Sequence, residues 1–373
     1  MDAFVCTDCG REFALAEPIW RCECGGTLDI SFTAAFDSEH ISRRGPTMWR
    51  YRGAIPVAGD NIVSLYEGCT PMGTLSVHGQ PIWLKFDHVL PTGSFKDRGA
   101  SVLVSKVKEL GIRHIVEDSS GNAGAAIAAY SAAAGIRCDV YAPKQVSAAK
   151  LAQIRAYGAN VHLCVNRELA GAQAQWDARG AYYGGHAWNP FFIHGVKTCA
   201  FEIVEWLGGA VPDSVVVPVG NGTLLLGMYI GFCDLVKARV TRRMPKLIGV
   251  QASQCAPLQR AFRLGRERPS HVFGKPTVAD GIAIDRPVRG RQILKAVRET
   301  HGRFVAVTEL EIMKAFDRLC LTGLYVEPTG AVGLAGAAKY VRKEHPDEVI
   351  VTVLTGHGLK APEAVRAWLD EEA

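Results

Sequence analysis

The sequence predicts an α/β fold built on parallel sheets, and three observations carry that prediction. From about Trp83 onward, short β-branched runs alternate with longer helical segments. Several strand-like runs end in glycine-bearing turns that lead straight into helices, as parallel crossovers require. The chain has 373 residues, 48% of them hydrophobic, enough to fill more than one lobe at roughly 100–200 residues per domain.

The elements follow in order. Residues 1–30 stand apart from the rest. Cys6-x2-Cys9-Gly10 is followed after 12 residues by Cys22-x-Cys24-Gly25-Gly26. Four thiolates in two glycine-flanked knuckles suit a tetrahedral structural zinc. The second knuckle is one residue short of the usual spacing, so a zinc-ribbon-like module and a turn of reduced cysteines without metal both stand open. A zinc with four protein ligands would be a staple, with no open position for catalysis. Strands are expected at 112–116, 137–141, 160–164, 214–219, 246–251, 303–307 and 348–354. Helices are expected at 100–110, 123–134, 148–157, 198–207, 224–236, 289–300, 309–322, 331–344 and 362–369. The stretch 266–289, rich in Gly, Pro and charge, reads as a loop bordering the site.

Composition narrows the function. The net charge of +5 is mild and its basic residues are scattered, apart from short runs at 239–243 and 263–268. Solvated helix faces explain these better than a nucleic-acid footprint. No apolar run reaches the length of a membrane span, and the first residues lack the regions of a signal peptide. The expectation is a cytoplasmic protein with no membrane and no nucleic-acid partner. Most of the 11 cysteines are lone ones in apolar segments, such as Cys138, Cys164, Cys199, Cys233 and Cys320, and read as reduced thiols.

Four turns carry chemistry. Pro91-Thr92-Gly93-Ser94-Phe95-Lys96-Asp97-Arg98-Gly99 puts a lysine in the first turn of a helix, with Ser94 expected as its cap and Asp97 completing a capping-box-like pattern. The positive end of the helix dipole there favours a neutral, nucleophilic amine, suited to an aldehyde cofactor such as pyridoxal phosphate (PLP). Ser119-Ser120-Gly121-Asn122-Ala123-Gly124 offers backbone N–H groups for a carboxylate or phosphate, or else a helix start capped by Ser and Asn. Gly220-Asn221-Gly222-Thr223-Leu224 looks like a phosphate cradle. It fails the dinucleotide fingerprint, because Leu225 stands where the third glycine belongs. Thr355-Gly356-His357-Gly358-Leu359 follows the last strand, where His357 reads best as a backbone hydrogen-bonding residue.

These turns, in this order, resemble those of the fold-type II PLP enzymes (tryptophan synthase β-like), and in particular the threonine synthase family, over roughly residues 64–370. The resemblance implies two parallel-sheet α/β lobes behind the N-terminal module: residues 31–95 with 165–373 as a large PLP-binding lobe, and 96–164 as a small mobile lobe. It implies a homodimer and a small amino-acid substrate. Lys96 would hold PLP covalently and shuttle protons. Phe95 would pack by the ring, and Asn122 would bond its phenolic oxygen. Gly220, Asn221, Gly222, Thr223 and Leu224 would bind the cofactor phosphate, and Thr355 would meet the pyridine nitrogen. Ser119, Ser120 and Gly121 would receive the substrate carboxylate. Glu327 matches a position beside the cofactor, and reads equally as a helix-start carboxylate.

The implied reaction is elimination or replacement at an α-amino acid, with O-phospho-L-homoserine plus water giving L-threonine and phosphate as its named form. The substrate segment departs from the family pattern. Ala187 stands where a serine is expected, and Phe192 where an arginine is expected, which removes a bidentate phosphate contact. Ala123 and Leu90 also replace family residues, and Lys197 or His194 is the remaining candidate for a phosphate contact. A related synthase, lyase or dehydratase with another β- or γ-leaving group is therefore the alternative.

Overall fold

The computed structural model describes residues 2–37, 41, 43–144, 146–269, 271–341 and 347–372. In chain order, the first strands are β1 (Ala3–Cys6), β2 (Glu12–Ala14), β3 (Leu28–Ser31), β4 (Met72–Val77) and β5 (Gln80–Lys85). Then come α1 (Lys96–Glu109), β6 (His114–Glu117), α2 (Asn122–Ala133), β7 (Arg137–Pro143), α3 (Ala148–Ala156), β8 (Asn160–Cys164), α4 (Arg167–Asp177), β9 (Tyr182–Tyr183) and α5 (Pro190–Val196). The remainder is α6 (Thr198–Trp206), β10 (Ser214–Pro218), α7 (Thr223–Lys237), β11 (Lys246–Ala252), α8 (Pro257–Arg263), α9 (Gly290–Glu299), β12 (Arg303–Val307), α10 (Glu309–Cys320), α11 (Pro328–Val341), β13 (Ile350–Val353) and α12 (Pro362–Glu372).

The chain forms two compact units, 1–69 with 90–198 and 70–89 with 199–373. Residues 31–69 and 165–198 thus pack with 96–164. The reason is local: β9 pairs in parallel with β6, and α5 lies against α1 so closely that a Cβ on Gly195 would come within 2.0 Å of the Arg98 carbonyl.

The first unit holds a parallel sheet of order β8-β7-β6-β9 and an antiparallel sheet of order β2-β1-β3 that carries the cysteine knuckles. The second unit holds a six-stranded sheet of order β12-β11-β10-β13-β5-β4, parallel except for the edge hairpin β4–β5. Every residue of β10 and β13 is buried. That is why these strands read as β-branched, nearly continuous apolar runs: helices cover both faces of the sheet. Parallel α/β lobes are what the sequence predicted.

Each expected strand and helix is present, with ends shifted by a few residues. The last three residues of the helix expected at 331–344 fall within 342–346, outside the described residues. One local expectation is corrected. Ser94 does not cap α1: the N-cap is Phe95, in helical geometry with no side-chain cap, and the buried Ser94 hydroxyl has no hydrogen-bond partner. Asp97 does not complete a capping box either. It turns back on the preceding loop, where it accepts the Thr92 amide at 2.7 Å and the Thr92 hydroxyl.

Candidate active site

The residues singled out by sequence divide between the two units. Lys96, Phe95, Asn122, Ser119, Ser120, Gly121 and Phe192 belong to the first, and Gly220 to Leu224 and Thr355 to the second.

In the first unit Lys96 opens α1 as its first residue, half-buried. Its Nζ lies 4.6 Å from the Phe95 ring centroid and 5.8 Å from that of Phe192. Phe192 is fully buried because Gly99 leaves room for it: a Cβ at Gly99 would come within 2.4 Å of its ring. Asp97, Arg98 and the next turn of α1 are buried, so the lysine sits on a rigid support. Lys197 and His194 lie beside each other. Both are buried, and Lys197 Nζ lies 2.9 Å from His194 Nδ1.

The 119–122 turn joins β6 to α2. The alternative in which Ser and Asn cap this helix is not what forms: the N-cap is Gly121, and no side chain caps the helix. Ser119 Oγ accepts the Gly121 amide at 3.3 Å instead. Gly124 keeps the turn tight, since a Cβ there would lie 1.8 Å from the Ser119 carbonyl.

Sequence reasoning missed two residues beside this turn. Glu117 ends β6 fully buried, and His186 Nδ1 lies 2.9 Å from its Oε1. The available signal was a carboxylate closing an apolar strand immediately before the Ser-rich turn. Burial pushes Glu117 well above the usual carboxylate range and His186 well below the usual imidazole range. The Asp118 charge adds to the first effect and the Lys96 charge to the second.

In the second unit, four turns lie against one another. A Cβ on Gly220 would come within 2.9 Å of Ile282 Cα. The Gly281 amide donates to Thr329 Oγ1 at 3.2 Å, and the Glu327 amide donates to the Gly356 carbonyl at 2.9 Å. Gly222 is the N-cap of the 15-residue α7, with φ +77 and no side-chain cap. Elsewhere the chain does cap its helices: α10 opens with a full Thr308–Glu311 capping box. Thr355 follows β13, 2% exposed, with its hydroxyl unpartnered. His357 Nδ1 accepts the Leu359 amide at 3.2 Å, the backbone role its turn suggested. It also stacks on the buried His88, whose pKa burial and the His357 charge lower to about 4.

The four N-terminal cysteines converge. Cys6 Sγ lies 3.5 Å from Cys24 Sγ, Cys9 Sγ lies 3.6 Å from Cys22 Sγ, and all four sulfurs fall within 4.8 Å of one another.

Comparison with known proteins places this geometry. Residues 63–356 match the family described as pyridoxal-phosphate dependent enzyme. The chain is 35% identical over 376 residues to the threonine synthase of Methanocaldococcus jannaschii, covering 96% of this chain and 93% of that protein. It is likewise 35% identical to the threonine synthase of Methanosarcina acetivorans, covering 96% and 92%. Among solved structures, a fungal L-serine ammonia-lyase from Rhizomucor miehei superposes with a TM-score of 0.71 at 20% identity, over 82% of this chain and 98% of that one, a likeness of fold.

Proposed function

The chain belongs to the threonine synthase family of PLP-dependent enzymes, and from that premise we propose that it converts O-phospho-L-homoserine and water to L-threonine and phosphate. As a PLP-dependent carbon–oxygen lyase it needs a built place for the cofactor. The observation that carries the reading is Thr355, whose buried hydroxyl has no hydrogen-bond partner among the described residues, at the end of the central strand β13. A buried hydroxyl left unpaired is costly unless a ligand completes it. The glycine-led, uncapped start of α7 fits the same group, since its backbone N–H groups are left for an anion.

Lys96 would carry the cofactor through Nζ and return protons to the substrate from the same atom. Phe95 would lie by the ring and Asn122 would bond its phenolic oxygen. Gly220, Asn221, Gly222, Thr223 and Leu224 would hold the phosphate, and Thr355 the ring nitrogen. PLP, when bound, supplies the electron sink that makes proton loss from the amino acid's α-carbon and departure of its oxygen substituent feasible. Ser119, Ser120 and Gly121 would hold the substrate carboxylate at the uncapped start of α2, which fixes the α-carbon near the lysine.

A second reading has its own support. Phe192 is fully buried at the position where the family places an arginine, which favours a less charged leaving group and a related synthase, lyase or dehydratase. The assay is phosphate release and threonine formation from O-phospho-L-homoserine, run beside O-acetyl and free hydroxy amino acids. Stoichiometric phosphate and threonine are expected. Turnover of the panel without either product would replace the named reaction by the second reading.

The four convergent thiols support a structural zinc that staples β1 to the turn before β3, as a zinc-ribbon-like module. Gly26 fits this role, because a Cβ there would lie 2.9 Å from Cys6 Sγ. Protein purified without chelator is expected to hold about one zinc per chain, lost in a Cys9→Ser, Cys24→Ser double variant. Metal-free protein of unchanged thermal stability would rule the staple out. Family likeness also supports a homodimer in the cytoplasm, and sedimentation at twice the chain mass tests the dimer.

A further inference from the structure

We propose that Glu117 and His186 form a proton relay that delivers the His186 Nε2 hydrogen to the departing hydroxyl oxygen of a hydroxy amino acid. The inference rests on the reading of this site as a carbon–oxygen lyase, and names the acid that would serve a hydroxyl leaving group there.

The geometry places the relay beside the lysine. His186 Nδ1 is 2.9 Å from Glu117 Oε1, the His186 ring is 5.6 Å from the Phe192 ring, and Phe192 is 5.8 Å from Lys96 Nζ. Glu117 Oε2 is buried and has no hydrogen-bond partner. Burial and the Asp118 charge outweigh the Lys96 charge and the His186 and Ser119 amides near the carboxyl group, and favour the protonated acid. His186 Nε2 makes no hydrogen bond to any described residue. A net-neutral Glu–His pair holds two hydrogens. If the carboxyl hydrogen lies on Oε1 and is given to Nδ1, the imidazole hydrogen sits on Nε2, whereas hydrogens on Oε2 and Nδ1 would leave Nε2 bare. The relay uses the first of these arrangements, in which His186 is the donor.

The proton balance closes. As the substrate C–O bond breaks, its electron pair leaves with the oxygen, and that oxygen takes the Nε2 proton. Nδ1 takes the proton shared with Glu117, and the pair is left with one negative charge on the Glu117 carboxylate. The Lys96 charge stabilises that carboxylate. A proton from water restores the pair. Phosphate departs as a stable anion and needs no such proton, whereas hydroxide is a poor leaving group without one.

Two measurements test the relay. Imidazole ¹⁵N NMR of histidine-labelled protein, with His186 assigned by its loss in His186→Gln, is expected to show the neutral Nε2–H tautomer without titration from about pH 5 to pH 9. The Nδ1–H tautomer, or titration near the ordinary value of about 6.5, would overturn it. In the PLP-loaded enzyme, His186→Gln is expected to lower kcat on a free hydroxy amino acid by about 10²-fold or more, with KM little changed. Turnover of an O-phospho amino acid should fall by less than about threefold. Glu117→Gln can still donate to Nδ1 but cannot release a proton, so it is expected to keep the tautomer and lose kcat on the hydroxy substrate alone. Equal losses on both substrates would reveal a merely structural pair. Wild-type turnover of the phosphorylated substrate alone overturns the relay and spares the proposed function; turnover of neither overturns the function itself.

Discussion

Replacing Lys96 by alanine is expected to leave a folded protein that carries no visible PLP absorbance and turns over at least about 10³-fold more slowly. The fold survives because Lys96 is the first residue of α1 and half-buried, while the packing of that helix rests on the residues after it. Alanine is also the best helix former. The loss is chemical: no other residue type can both hold an aldehyde carbon and return a proton from the same nitrogen at this place. Lys96→Arg is the control. It keeps the positive charge beside Phe95 and Phe192 but cannot form the covalent attachment, and it should be as inactive as the alanine variant. Absorbance spectra, circular dichroism and a turnover assay together decide the matter. A coloured, active Lys96→Ala protein would move the chemistry elsewhere.

Glu67→Ala is expected to cost on the order of 2–3 kcal/mol of folding stability, read from urea or thermal unfolding. Glu67 is fully buried and gathers donors from four stretches of the first unit. Its carboxylate accepts Trp49 Nε1 at 3.0 Å, Ser101 Oγ at 2.7 Å, Tyr130 OH at 2.8 Å and the Leu65 amide at 2.8 Å. Removing it leaves the Tyr130 hydroxyl and the Leu65 amide without this partner, while Trp49 Nε1 keeps Ser101 Oγ and Ser101 keeps the Val63 carbonyl. The turn that presents it is strained as well, since Tyr66 and Cys69 both have positive φ, at roughly 1–3 kcal/mol each. Gly68 has φ +102, and a Cβ there would lie 2.3 Å from the Met48 amide nitrogen. Such a turn persists only while the surrounding bonds hold it. Glu67→Gln, which keeps the acceptor oxygen, should lose less. A change below about 1 kcal/mol in the alanine variant would mean that water satisfies the stranded donors.

Much of this fold is legible because its two periods are clean. The buried parallel strands read as β-branched runs, and the longer helices read from their apolar faces and glycine stops. One helix that escaped, α4, does carry a signal, an Asn166 cap accepting the Leu169 amide; the others lack such signals. α5 is buried on every side, since all of Pro190–Val196 is buried, so it shows no polar face. β9 is two residues long and exists only because β6 is there to pair with it. β4 and β5 form a hairpin on the sheet edge, ahead of the alternation that marks the rest. Ser94 misled for a different reason. Its sequence context is that of a cap, but Asp97 turns instead to Thr92, and the helix begins one residue later.

The site shows the same division. Lys96, the 119–122 turn and the 220–224 turn declared themselves through glycine and small polar residues at strand ends. Glu117 and His186 lie 69 residues apart and belong to no motif. Only the register that sets Val116 opposite Tyr183 brings them together. Pairings of this kind are set by tertiary structure, so local patterns carry no trace of them.

The most direct measurement is reductive trapping followed by peptide mapping. Borohydride treatment of the purified protein with PLP makes the attachment of an aldehyde to an amine permanent, and mass spectrometry of the digest then locates it. The account predicts one pyridoxyl group per chain, on Lys96. A chain that takes up no pyridoxyl group, or takes it up on another lysine while Lys96 stays unmodified, would contradict it.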